Sequence, residues 1–145
     1  MLDHIGLAVS DLERSKAFYQ AALKPLGLGL VMEVTAEETG GDAHAGFGAG
    51  EKAFFWVGTG AGPKGGTHVA FATETRAEVD AFYRAALAAG GQDNGAPGLR
   101  PRYHPNYYGA FILDPDGNNV EAVCRRPGWR TGGRRGRSGG FMATR

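Results

Sequence analysis

Residues 66–73, Gly-Thr-His-Val-Ala-Phe-Ala-Thr, alternate with a period of two, the pattern of a half-buried strand, and place a histidine on the same face as two alanines. Asp3-His4-Ile5-Gly6-Leu7-Ala8-Val9 has the same shape. Each strand is followed by helical sequence with a shared core. Ala17-Phe18-Tyr19-Gln20-Ala21-Ala22-Leu23 returns as Ala81-Phe82-Tyr83-Arg84-Ala85-Ala86-Leu87, shifted by 64 residues, and His4 and His68 keep the same offset. A repeat of this length predicts two copies of one structural module, with the chemistry where the copies face each other.

In chain order, a first strand spans about residues 2–9. Ser10 is the expected helix cap, with Glu13 three positions on completing a capping box. Leu12, Phe18, Tyr19 and Ala22 form the apolar stripe of that helix, and Pro25 and Gly27 stop it near Lys24. Leu28–Thr35 reads as a second strand, and the polar, glycine-bounded stretch 36–42 as a loop. Residues 45–48 and 52–58 form a hairpin around Ala49-Gly50. Gly60–Gly66 is glycine-rich, contains Pro63 and joins the modules.

The second copy repeats the order. Its strand at 66–73 leads to a helix over about 76–89, stopped by Gly90-Gly91. Gln92–Leu99 carries the weakest strand signal, with three turn-formers and little apolar sequence. Residues 107–113 and 119–124 are strands around the tight turn Asp114-Pro115-Asp116-Gly117. The predicted fold class is α+β, with two tandem βαβββ modules (1–58 and 66–124) forming a cupped mixed sheet in one domain over residues 1–124.

Charge divides the chain differently. Residues 125–145 hold seven arginines, many glycines and no acid, whereas residues 1–124 carry nine basic and fifteen acidic side chains, near −6. A Gly/Arg-rich tail of this kind is expected to be a flexible appendage, and nucleic acid is not the expected partner. At 145 residues the chain is long enough for a real core, and its single cysteine, Cys124, excludes an intrachain disulfide framework and reads as structural. With no signal-peptide pattern at the start and no apolar run of membrane length, a cytoplasmic protein is expected.

Four motifs in this order carry a family likeness: Asp3-His4-Ile5; Ser10-Asp11-Leu12-Glu13-Arg14-Ser15 with Phe18-Tyr19; Thr67-His68-Val69; and Asp114-Pro115-Asp116-Gly117-Asn118-Asn119-Val120-Glu121. Over residues 1–124 the chain resembles the vicinal oxygen chelate (glyoxalase/bleomycin resistance/dihydroxybiphenyl dioxygenase) superfamily. The resemblance implies a divalent metal (Fe, Mn, Zn or Ni) held by His4, His68 and Glu121, the ligand types that leave positions open for substrate. Glyoxalase I has a further carboxylate ligand on the last strand of its first module. Matching residues 54–57 to 119–122 puts Trp56 there, which cannot ligate, while Glu51 lies at the strand's entrance on the opposite parity.

A three-ligand set is closer to the extradiol dioxygenases. His104, Asp114-Pro115, Gly117 and Glu121 keep that signature's spacing, but Phe111 stands where those enzymes have a tyrosine. The proline-stiffened segment 98–108 reads as a lid or rim, with His104 or Tyr107 as acid or base and Arg100 or Arg102 for an anionic substrate group. Trp56, Tyr108 and Phe111 complete the expected substrate-binding set.

The expected function is a metal-dependent lyase or isomerase acting on a small oxygenated substrate, with the metal polarising a substrate oxygen. The alternatives are an extradiol-type dioxygenase and a metal-free, ligand-sequestering binding protein. The resemblance also implies a homodimer, with the site built within one chain or across two.

Overall fold

The structure, a computed structural model, describes residues 1–128; residues 129–145, and with them most of the expected tail, lie outside the described residues. β1 (Ile5–Ala8) leads to α1 (Leu12–Leu23), and a 3₁₀ turn at Lys24–Leu26 closes on Gly27, whose φ of 77° is the left-handed stop expected there. β2 (Gly29–Val34), a short α2 (Ala36–Thr39) and the hairpin β3 (His44–Ala49) and β4 (Lys52–Gly58) complete the first module. The second contains β5 (His68–Ala72), α3 (Arg76–Ala88), β6 (Gln92–Leu99), β7 (Tyr108–Leu113) and β8 (Asn119–Cys124).

Each module forms its own four-stranded mixed sheet, ordered β1-β4-β3-β2 and β5-β8-β7-β6. In both, the first strand runs parallel to the last and the remaining pairs are antiparallel. The predicted pair of βαβββ modules is therefore present, with the mixed sheet divided between them. α1 and α3 begin 64 positions apart, at Leu12 and Arg76, as the repeat requires.

The two helices pack on each other, and the modules share one core. Phe18 meets Tyr19 edge-on at 4.9 Å, Tyr19 meets Phe55 at 4.8 Å, and Phe55 meets Phe71 of the second module at 5.2 Å. These contacts carry aromatic packing across the module boundary. The Asp114–Gly117 turn adds a polar clamp. Buried Asp114 accepts from the Tyr19 hydroxyl at 2.5 Å, and Asp116 accepts from the Ser10 backbone N–H at 3.1 Å and from its hydroxyl.

Two local expectations need correction. The cap of α1 is Asp11, which accepts from Arg14 N–H at 3.1 Å; Ser10 is engaged by Asp116 instead. Residues 36–42 are not all loop, because Thr35 and Glu38 form a reciprocal capping box that starts one helical turn, ended by Gly40 at φ 83°. The weak strand signal at Gln92–Leu99 does form β6, and its turn-formers appear as register shifts around Gly95. No helix among the described residues is long and apolar enough to cross a membrane.

Candidate functional site

Glu121 sits in the middle of β8 and is only 2% exposed, so its carboxylate has left water on a strand that is apolar apart from Asn119 at its start. Burying such a group is costly without donors or a cation nearby. Its partners come from β5 and from the residue that leads into β7. The ladder sets Ala70 beside Glu121, so His68, two residues earlier on β5, lies on the same face. His68 Nε2 is 3.1 Å from Glu121 Oε1. On the other side the Tyr107 hydroxyl donates to Oε2. Among the described residues no lysine or arginine pairs with this carboxylate.

The second ring nitrogen of His68 is held as well. Asn119 Oδ1 accepts from Asn94 Nδ2 at 3.2 Å, and Asn119 Nδ2 faces His68 Nδ1 at 2.8 Å. With the amide assigned this way, Nδ1 accepts and Nε2 carries the hydrogen directed at Glu121. Turning the Asn119 and Asn94 amides over together lets Nδ1–H donate to Asn119 Oδ1 and frees the Nε2 lone pair beside a carboxylate oxygen. Imidazole nitrogen and carboxylate oxygen at this separation suit a divalent metal, and Asn119 would fix the tautomer.

These groups form one side of a cleft of about 280 Å³, lined by His68, Tyr103, Tyr107, Phe111, Glu121 and Arg125. Phe111 meets the His68 ring edge-on at 6.3 Å, Tyr103 meets Tyr107 at 5.2 Å, and the Arg125 guanidinium stacks 4.9 Å from the Tyr107 ring centre. Burial, followed by the bond to Glu121, pushes the Tyr107 hydroxyl up to about 12. At neutral pH Tyr107 is therefore a hydrogen-bond donor and not a base.

Of the residues singled out by sequence, His68, Glu121, Tyr107 and Phe111 converge on this cleft, and the others do not. His4 is exposed, with Nδ1 2.8 Å from Asp3 Oδ1, and lines a separate cleft of about 540 Å³ between the modules. Among the described residues no three His, Cys, Asp or Glu side chains meet as a ligand set. Trp56 pairs with Gly6 as Glu121 pairs with Ala70, which makes it the first module's counterpart of Glu121. It lines a smaller cleft with His44.

His104 is tied into its own turn, accepting from Asn106 N–H at 3.0 Å, and Arg102 is exposed without lining the cleft. Arg100 donates to Ala96 O at 2.8 Å and stacks on Phe111 from outside the lining set. Tyr108 follows Tyr107 in the chain and so faces the other side of the strand, where its hydroxyl donates to Asp80 of α3 at 2.6 Å. Cys124 is buried in the core, and its thiol makes a weak contact with Arg126 O.

Asn119 and Arg125 are members of this cluster to which sequence reasoning gave no role, and Tyr103 was read only as part of the 98–108 rim. For Arg125 a signal existed: positions 121, 123 and 125 share one strand parity, so an arginine just beyond β8 falls on the face of Glu121.

The family model of the Glyoxalase/Bleomycin resistance protein/Dioxygenase superfamily matches residues 1–122. A glyoxalase/bleomycin resistance protein from Albidiferax ferrireducens T118 is 31% identical with a TM-score of 0.67, over 86% of this chain and 98% of that one. Glyoxalase I from Zea mays is 27% identical with a TM-score of 0.65; the match covers 86% of this chain but only 46% of the maize protein. A glyoxalase-related enzyme from Fulvimarina pelagi, 20% identical with a TM-score of 0.61, shares the fold. No curated protein matches the chain.

Proposed function

The chain belongs to the Glyoxalase/Bleomycin resistance protein/Dioxygenase superfamily, and from that premise we propose that it is a divalent-metal-dependent lyase or isomerase acting on a small oxygenated substrate at the His68–Glu121 cleft. The observation that carries this reading is the buried Glu121 carboxylate, with no lysine or arginine paired to it among the described residues, held 3.1 Å from His68 Nε2 at a cleft wall. His68 and Glu121 would hold the metal, drawn from Fe, Mn, Zn and Ni. Once bound, such an ion supplies Lewis-acid polarisation of a substrate oxygen. Tyr107 fixes the free carboxylate oxygen of Glu121, and Phe111 and Tyr103 screen the site from water. Asn119 orients the His68 ring.

Two protein ligands make a weak site, and His4 lies in a different cleft of the same chain. The natural third ligand is His4 of a second copy, which makes the working unit a homodimer. Metal analysis of protein purified without chelator tests this, with Glu121→Ala and His4→Ala variants alongside. Each variant alone should lose metal. Mixed and allowed to exchange subunits, the two should regain it, because one composite site then has every ligand intact. Failure of the mixture to recover metal would remove the shared-site reading.

A second reading, metal-free capture of a small ligand, is favoured by one observation: Trp56 occupies the first module's counterpart of Glu121. Under that reading the protein stays metal-free under any loading, and the His4→Ala and Glu121→Ala variants keep their ligand.

A further inference from the structure

Arg125 and Arg126 are consecutive, yet the structure treats them differently. Arg126 is ion-paired with Glu74. Arg125 has no carboxylate within ion-pair distance among the described residues, and its guanidinium lies against the Tyr107 ring at the wall of the His68–Glu121 cleft. Stacking holds the planar fork in place without using its N–H edge, which leaves the donors available to a ligand. The cleft also presents three aromatic rings. Tyr103, 62% exposed, stands edge-on to Tyr107, and Phe111 stands edge-on to His68.

Resting on the reading of this cleft as the substrate site, we propose that Arg125 sets its specificity, and that the ligand is a small planar molecule carrying a carboxylate or a similar oxyanion. The two charges of the cleft orient it. In the metal-free protein Glu121 repels an anionic group and Arg125 attracts one, so the ligand's charged group is directed at Arg125 and its neutral oxygens at His68 and Glu121. The aromatic walls favour a flat body, and a volume of about 280 Å³ admits only a small one. Arg125 thereby acts as part of the site, although it lies among the basic residues at the start of the tail.

The test is an NMR titration of the full-length, metal-free protein with benzoate and with benzamide, which match in shape and differ in charge. Benzoate should bind about fivefold more tightly, the scale of a partly exposed ion pair, and should shift the signals of Tyr103, Tyr107 and Phe111. Arg125→Gln should abolish the preference, and Arg126→Gln, which removes the same charge one residue away, should leave it intact. Equal affinities in the wild type, shifts confined to other residues, or a preference that survives Arg125→Gln would each overturn the proposal. The metal experiment fails separately. A protein that selects benzoate through Arg125 but takes up no metal loses the enzyme reading and keeps this site; one that takes up metal without selecting benzoate loses this inference alone.

Discussion

Tyr107 donates its hydroxyl hydrogen to Oε2 of Glu121 across a gap left open by Gly109. A Cβ at position 109 would stand 3.2 Å from Glu121 Oε2 and 3.2 Å from Tyr107 Cε1. Residues 107, 109 and 111 share a strand face, so a glycine between two aromatics is what allows the buried carboxylate to reach the phenol. The bond occupies one carboxylate oxygen and leaves the other facing His68.

Replacing Tyr107 by Phe leaves that oxygen buried without its donor. The expected loss is about 1–2 kcal/mol of unfolding free energy, read from urea denaturation at pH 8. Alkaline pH gives a second readout. Because the Tyr107 hydroxyl is raised to about 12 in the folded protein, its contribution is fully present below the ordinary phenol value near 10 and is lost as pH rises towards 12. The wild type should therefore lose stability more steeply than Tyr107→Phe between these values. Parallel curves would show that burial and the bond to Glu121 do not raise this phenol in the folded protein.

Gly109→Ala attacks the same bond from the backbone side. The new methyl is tight against both partners and must push one of them aside, at a cost of about 1–3 kcal/mol. A titration of tyrosinate absorbance should show one phenol returning towards its ordinary value, since separation from Glu121 removes part of what raised it. An unchanged titration would mean that the pair shifts as a unit.

The module clamp can be tested apart from the site. Asp114 accepts from Asp116 N–H at 2.9 Å, from Asn118 N–H at 2.8 Å and from Asn118 Nδ2 at 2.8 Å, as well as from Tyr19. Asp114→Ala should cost about 3 kcal/mol by leaving buried donors unpaired, and Tyr19→Phe about 1 kcal/mol. A double-mutant cycle should give a coupling of about 1 kcal/mol. Additivity would show that the two act separately.

Much of this architecture could be read from the chain because the period-two strands, the helix stripes and the 64-residue echo agree with one another. Where they failed, local competition decided. Asp11 and Ser10 are both good caps, and only the distant Asp116 chooses between them. The capping box at Thr35 and Glu38 was visible, but one turn of helix has no periodicity to announce it. The resemblance pointed to His68, Glu121 and Phe111, and strand parity added Tyr107, because alternation fixes which side chains share a face. Parity could not place His104, whose ring is used within its own turn, and a reading of residues 98–108 as one rim overlooked the alternation that sends Tyr107 and Tyr108 to opposite faces. Arg125 was hidden by composition, since it opens a basic tail while continuing the parity of β8.

The clearest test of the two-module logic is Trp56→Glu. Ile5 pairs with Phe55 and Gly6 with Trp56 on the first sheet, as Val69 pairs with Val120 and Ala70 with Glu121 on the second. A carboxylate at position 56 would therefore occupy the first module's counterpart of Glu121. If the modules of two copies face one metal, the substitution adds a ligand to an incomplete set and should raise metal affinity at least about tenfold, seen as a metal-dependent rise in Tm larger than that of the wild type. Trp56 lies over Gly46, so the variant without metal should itself be less stable, and each protein must be compared with its own metal-free form. A destabilised variant with unchanged metal affinity would mean that position 56 faces no shared ion, leaving His4 as the one first-module ligand of the composite site.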